Sequence, residues 1–175
     1  QIKKMKAIIL AAGKWTRLKP LTNTIPKPLI KIFGKSILEH NLESIYKYVS
    51  EIIIIIKYKQ ELIKDAIWNN YKWIKITYKE QSEEKWTWAA IRWIKSDIDI
   101  IILNWDSIFD KKDLEKIVNF NWYWVLVKKV KNPSKYWIFK VDVDQNIQKI
   151  VEKPTNNIWN LANLWVYKFN SKIFE

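Results

Sequence analysis

Apolar runs at 7–10 and 52–56 and an Ile-rich segment at 98–103 are strand-sized and carry almost no polar alternation. Runs of this kind read as strands buried on both faces, as in a parallel sheet. Strands are therefore expected at 6–10, 51–57 and 98–103. Residues 74–79, Ile-Lys-Ile-Thr-Tyr-Lys, alternate and add a half-exposed strand. Helical spacing falls between these runs. Ser36-Ile37-Leu38-Glu39 is a capping box that opens a helix to about Tyr48, with Ile37, Leu38, Leu42 and Ile45 as its apolar stripe. Residues 59–68 and about 87–95 read as helices, and Asp110 caps another that runs to about Asn119. Strands follow at 124–130, 136–142, 147–152 and 161–169, with a hairpin turn at Asp144-Gln145-Asn146. Strands alternating with helices, then an antiparallel-looking half, imply an α/β fold with a mixed sheet. No internal repeat, low-complexity stretch or linker interrupts it.

Composition narrows the class. A chain of 175 residues fits one domain with a real core. There is no Cys, hence no disulfide framework or Cys-based metal site. No apolar run is long enough to span a membrane, and the N-terminus lacks the pattern of a signal peptide. A cytoplasmic protein without a membrane partner is expected. Met5-Lys6-Ala7 looks like a natural start, so residues 1–4 are expected to be an upstream extension and 5–175 the domain. The net charge of +13 suggests an anionic partner. However, the chain is crowded with Lys, Ile and Asn, whose codons are A/T-rich, and Lys is spread along its whole length. Codon bias accounts for the charge better than a nucleic-acid face does.

The unusual numbers are two Gly and twelve Trp. Average Gly usage of about 7% would give roughly twelve in a chain this long. The Trp residues also sit where Gly belongs. Asn104-Trp105-Asp106, Asn121-Trp122-Tyr123-Trp124 and Ile67-Trp68-Asn69-Asn70 are turn contexts, and Trp73 and Trp137 interrupt polar segments leading into strands. Few lie at core spacing. The economical reading is that most of these positions are Gly positions, with UGA codons read as Trp instead of Gly. The alternative is a Trp-rich binding surface, as in a basic, aromatic nucleic-acid-binding domain. That alternative predicts salt-sensitive binding and Trp residues gathered on one face.

Candidate chemistry lies at the carboxyl ends of the expected parallel strands, where open α/β sheets bind ligands. The first strand runs into Leu10-Ala11-Ala12-Gly13-Lys14-Trp15-Thr16-Arg17. Small residues followed by cations suit a phosphate-binding loop. It is neither a Walker A nor a dinucleotide Gly motif. Asp106 follows the strand at 98–103. Asp110 already suits the next helix cap, which leaves Asp106 free to act as a Mg²⁺ ligand beside phosphate oxygens. Lys27 lies between Pro26 and Pro28, which are expected to keep it in an extended segment. Glu152 and Lys153 form a charged pair at a strand tip.

Taken together, Leu10–Leu18 and Pro26-Lys27-Pro28-Leu29 resemble the signature of the sugar-1-phosphate nucleotidyltransferases, with Trp15 standing at a Gly position. The resemblance continues through Glu80-Gln81 with Trp86-Thr87-Trp88-Ala89-Ala90 and Leu103-Asn104-Trp105-Asp106. It extends to Pro133-Ser134-Lys135-Tyr136-Trp137, Ile150-Val151-Glu152-Lys153-Pro154 and Asn160-Leu161-Ala162-Asn163 with Trp165-Val166-Tyr167. It spans essentially the whole chain. Trp occupies family Gly positions at 15, 86, 88, 93, 105, 137 and 165.

The resemblance implies a Rossmann-like, three-layer α/β/α fold with a mixed, mainly parallel sheet. It implies Mg²⁺-dependent transfer of a nucleotidyl group from a nucleoside triphosphate to a sugar 1-phosphate. Leu10, Ala11, Ala12, Gly13, Lys14, Trp15 and Thr16 would wrap the triphosphate. Arg17 would stabilise the departing pyrophosphate, and Lys27 would neutralise charge at the reacting centre. Gln81, Thr87 and the backbone at Trp86 would read base and ribose. Asp106 would hold Mg²⁺. The backbone at Trp137, with Glu152 and Asn163, would bind sugar hydroxyls, and Lys153 the sugar phosphate. UTP or dTTP with glucose- or N-acetylglucosamine 1-phosphate is favoured. A GTP-dependent mannose or heptose 1-phosphate guanylyltransferase is the alternative. A homo-oligomer is compatible with the resemblance. The chain ends before the family's second acidic metal ligand, so the domain is expected to be incomplete at its C-terminus. With Trp at 15, 105 and 137 the sites would be crowded. The chain as written is expected to be inactive and poorly folded, and its Gly-restored form active.

Overall fold

The computed structural model describes residues 5–13, 24–81, 91, 94, 96–155 and 159–174. The chain divides into two compact units, one formed by 1–124 with 167–175 and the other by 125–166.

The first unit is built on a sheet ordered β7-β1-β4-β6-β5. Its strands are β1 (Met5–Leu10), β4 (Val49–Ile56), β5 (Asn70–Tyr71), β6 (Ile74–Glu80) and β7 (Ile100–Asn104). β1 pairs in parallel with β4 and β7, β4 pairs in parallel with β6, and only β5 runs antiparallel. Ala7, Ile8 and Ile9 of β1, Ile52 to Ile56 of β4 and Ile100 to Leu103 of β7 are all buried. This is why those segments show no alternation, and it leaves β6, with its exposed Lys75 and Lys79, as the strand that alternates.

Among the described residues three helices pack on this sheet: α1 (Ile37–Ile45), α2 (Gln60–Ile67) and α3 (Lys111–Asn119). The Ser36 hydroxyl accepts from the Glu39 amide (3.1 Å) while Glu39 Oε2 accepts from the Ser36 amide (2.7 Å), which closes the expected capping box. Asp110 caps α3 by accepting from the Lys112 amide at 2.7 Å. Helix α1 ends at Ile45, short of the expected Tyr48, and tightens into a 3₁₀ turn over Tyr46–Tyr48. A small hairpin precedes it, β2 (Lys31–Ile32) and β3 (Lys35–Ser36). Its two-residue loop, Phe33-Gly34, has positive φ at both positions (51° and 80°), the geometry that matches strand twist. The expected helix at 87–95 lies outside the described residues, apart from Ile91 and Ile94.

The second unit holds the ladder β10-β9-β11, formed by β9 (Trp137–Val141), β10 (Ile147–Glu152) and the start of β11 (Leu161–Phe169). Both pairings are antiparallel. Strand β8 (Trp124–Lys129) leads into it. The turn expected at Asp144–Asn146 is present. Asp142 holds it by accepting from the amides of Asp144 (3.0 Å) and Asn146 (2.8 Å), and Gln145 takes φ 65°.

Among the described residues three tryptophans have left-handed backbones: Trp68 (φ 62°), Trp122 (φ 77°) and Trp165 (φ 59°). At Trp68 ψ is −166°, a combination that is essentially confined to Gly. Trp68 and Trp122 are each 73% exposed, so no burial offsets the strain. These positions have the backbone geometry of Gly. Trp105 is the one buried tryptophan among the described residues, in keeping with the expectation that few sit at core positions. It is only 2% exposed and is the largest fully buried side chain among the described residues.

Candidate active site

The parallel register of the first unit brings the expected ligand-binding residues to one edge. Leu10 lies opposite Asn104 on one side and Ile55 on the other. The chain leaving each strand is then held by its neighbour. The Ala11 amide donates to Ile55 O (2.8 Å), the Gln81 amide to Ile56 O (2.9 Å) and the Trp105 amide to Leu10 O (3.4 Å). Leu10 to Gly13, Gln81 and Asp106 therefore emerge together at the carboxyl edge of β1, β6 and β7. Lys14, Trp15, Thr16, Arg17, Trp86 and Thr87, which were expected to complete the phosphate and base sites, lie outside the described residues.

Lys27 enters the same group by a route the prolines did not predict. The segment is not extended. Lys27–Leu29 forms a 3₁₀ turn, in which the Leu29 amide donates to Pro26 O (2.9 Å) and the Ile30 amide to Lys27 O (3.0 Å). Pro26 itself is extended (φ −64°, ψ 139°), and the turn begins after it. The tight turn brings Lys27 Nζ to 5.0 Å from the centroid of the Trp105 ring.

Asp106 is partly buried, and its carboxyl is pushed above its ordinary range. Burial is the dominant cause; the Lys27 charge, a backbone N–H and a hydrogen bond with Ser107 all pull the other way. A carboxylate held at the expense of its hydration gains from any cation brought beside it. Among the described residues no group of three His, Cys, Asp or Glu side chains could by itself cage a metal. Asp106 could hold Mg²⁺ as a single carboxylate, with phosphate oxygens as further ligands.

In the second unit β9 gathers the residues expected to bind sugar. Glu152 lies opposite Trp137 in the β10–β9 ladder, and Ala162, just before Asn163, lies opposite Ile138 on the other side of β9. Trp137, Glu152 and Asn163 are thereby neighbours. Asn163 is buried, and its Oδ1 accepts from the Trp165 amide at 2.8 Å, which stabilises the left-handed turn there. The Trp137 and Trp165 rings meet edge to face with centroids 6.2 Å apart. Lys153 follows with φ 42°, and its amide is tied to Tyr136 O at 2.9 Å. Its ammonium is 3.6 Å from Glu152, and both side chains are more than half exposed, so the pair itself adds little stability.

Two residues at the first group carried no motif signal. Ser107 hydrogen-bonds Asp106. Asn41 on α1 donates to the carbonyl of Trp105 (3.0 Å) and is 1% exposed. The one trace of Asn41 in the sequence is an amide set inside the apolar stripe Ile37, Leu38, Leu42 and Ile45.

Comparison with known proteins identifies the family and the fold. The model of the nucleotidyl transferase family matches residues 6–175. The bifunctional protein GlmU of Methanocaldococcus jannaschii is 43% identical over 173 residues, covering 98% of this chain and 41% of that protein. The UTP–glucose-1-phosphate uridylyltransferase AglF of Haloferax volcanii is 30% identical over 183 residues, covering 98% of this chain and 74% of that protein. Among solved structures, a UDP-glucose pyrophosphorylase complexed with UDP-glucose superimposes with a TM-score of 0.80 at 19% identity, over 98% of this chain and 78% of that one. This likeness bears on the fold, which is Rossmann-like with a mixed, mainly parallel sheet. The chain spans about two fifths of the length of the archaeal GlmU proteins it matches, 41% in each of two cases.

Proposed function

The chain belongs to the nucleotidyl transferase family, and on that premise we propose that it transfers a nucleotidyl group from UTP or dTTP to a sugar 1-phosphate. The products are a nucleotide sugar and pyrophosphate, as cytoplasmic precursors for cell-envelope or polysaccharide synthesis. The observation that carries the reading is the placing of Lys27 and Asp106 beside the Leu10–Gly13 loop at one sheet edge.

An oxygen of the sugar phosphate attacks the α-phosphorus in line, and the bond to the β-phosphate oxygen breaks as pyrophosphate leaves. No protein nucleophile is required. Such chemistry depends on positioning and on charge neutralisation. The backbone of Leu10–Gly13 approaches the triphosphate, and Gly13 is exposed with no side chain to obstruct it. Lys27 supplies positive charge where it accumulates on the phosphates. Asp106 would hold Mg²⁺, which when bound screens the phosphate oxygens and favours the leaving group. Gln81, at the carboxyl end of β6, would read base and ribose, a role assigned by resemblance. In the second unit, Glu152 and Asn163 would orient sugar hydroxyls and Lys153 the sugar phosphate. Lys14, Thr16, Arg17 and Thr87 are assigned their roles by resemblance alone.

Uridylyl or thymidylyl transfer is favoured over guanylyl transfer by the Asn160–Asn163 and Ile150–Pro154 segments and by the Haloferax relative. The test is pyrophosphate release from a panel of triphosphates and sugar 1-phosphates, using full-length protein with Gly at the Trp positions. Turnover with UTP or dTTP supports the reading. Turnover confined to GTP replaces it with guanylyl transfer, and no turnover with any pair overturns it.

A further inference from the structure

Helix α1 carries a buried amide for which its packing offers no reason. Asn41 sits in the middle of the apolar stripe that faces the sheet, and it is 1% exposed. Its Oδ1 is buried and has no hydrogen-bond partner among the described residues. A buried acceptor left unmet is a cost that a leucine at this position would not incur. What Asn41 offers in return is the two protons on Nδ2. One goes to the carbonyl of Ile37 on the same helix (3.1 Å), and the other to the carbonyl of Trp105 across the sheet edge (3.0 Å).

These two bonds complete a continuous relay. The Ile30 amide donates to Lys27 O (3.0 Å), and the Ile37 amide donates to Ile30 O (3.0 Å). Ile37 O and Trp105 O both accept from Asn41. The peptide after Trp105 O begins Asp106. The backbone bearing Lys27 is thus connected to the backbone bearing Asp106 through four hydrogen bonds and one side chain. At the far end the loop closes in space, where Lys27 Nζ lies over Trp105 and its charge acts on the Asp106 carboxyl.

We propose that Asn41 is a positioning residue that sets the separation of Lys27 and Asp106 by clamping the carbonyl of residue 105 to helix α1. The acceptor is a main-chain oxygen, so the clamp is the same whether Trp or Gly occupies 105. The inference rests on the proposed function for its catalytic consequence, but the clamp itself is testable without it.

Two substitutions separate the halves of the clamp. Asn41→Thr leaves a hydroxyl able to donate to the carbonyl four residues back but too short to reach residue 105. Asn41→Leu removes both bonds and the unmet acceptor. Hydrogen exchange in the full-length parent should show a protected amide at 105, which donates to Leu10 O (3.4 Å). Both variants should exchange there at least tenfold faster, with α1 and β7 unchanged and thermal stability of Asn41→Leu undiminished. Mn²⁺ affinity of the protein–triphosphate complex, read by paramagnetic resonance, should fall at least threefold. In turnover, kcat should drop at least tenfold while KM for sugar 1-phosphate stays within twofold. An unprotected amide at 105 in the parent overturns the clamp without any variant. So does a folded variant whose loop exchange, Mn²⁺ affinity and kcat all stay within twofold of the parent. A parent that turns over no triphosphate overturns the proposed function only, and exchange and Mn²⁺ binding still decide the role of Asn41.

Discussion

The ammonium of Lys27 rests 5.0 Å from the centre of the buried Trp105 ring. A cation over an indole gains about 0.5–2 kcal/mol, so in this chain Lys27 is partly occupied by an aromatic face that a Gly at 105 would not provide. Trp105→Gly should raise triphosphate affinity about tenfold in calorimetric titration. It should also lower stability by about 3–5 kcal/mol, because the indole fills core volume. Unchanged affinity would show that the ring does not compete for Lys27.

Trp68 and Trp122 should behave in the opposite way. Their side chains are exposed and their backbones are left-handed. The turn at Trp68 is held from outside, by the Tyr78 hydroxyl donating to its carbonyl at 2.7 Å. Burial pushes that hydroxyl's pKa up to about 12, so the bond persists at any ordinary pH. Trp68→Gly and Trp122→Gly should each stabilise the fold by about 1–3 kcal/mol through relief of strain. Denaturant midpoints would reveal this, and a lower midpoint for Trp68→Gly would refute the glycine reading at that position.

The same reading makes a claim about the gene. UGA is expected at positions 68, 122 and 165, where the backbone is left-handed, and sequencing the coding region decides it. UGG at those three codons would make the strained tryptophans real.

Glu43 predicts a pH effect. Its carboxylate accepts from the Tyr71 hydroxyl (2.6 Å) and from Lys72 Nζ (3.0 Å), and these bonds hold it below the usual carboxylate range. A depressed folded-state pKa contributes stability that is fully present above the unfolded value of about 4.3 and is lost as pH falls through the lower folded value. Glu43→Gln should therefore melt about 2–4 °C below the parent at neutral pH, and the gap should narrow as pH falls below the ordinary carboxylate range. A gap that stays constant with pH would show that the charge is irrelevant there.

At the proposed centre, Lys27→Ala and Asp106→Asn should each lower kcat by about 10²–10³, the scale of losing one preorganised charge-stabilising group. Asp106→Asn should also raise the melting temperature of the ligand-free protein at neutral pH, because it removes a partly desolvated charge. Full activity in Asp106→Asn would exclude it as the metal ligand.

Much of this was legible along the chain because it depends on local chemistry. Continuous Ile-rich runs announced strands buried on both faces. The Ser36–Glu39 box and the Asp110 cap act within one turn of helix, and the tryptophan count pointed to glycine positions that the left-handed φ values at 68, 122 and 165 support. What remained hidden depends on parts of the chain far apart in sequence. The two prolines suggested an extended Lys27, whereas the turn there takes its place in a relay running through α1. Nothing near position 105 foretold that its indole would be buried beneath Lys27. An asparagine in an apolar stripe gains its meaning only from a carbonyl 64 residues away. Local propensity and periodicity are written in neighbouring residues. The positions of two charges relative to each other are set by the hydrogen bonds and packing that bring separate strands and helices to one edge, and these come into existence only when the chain has folded.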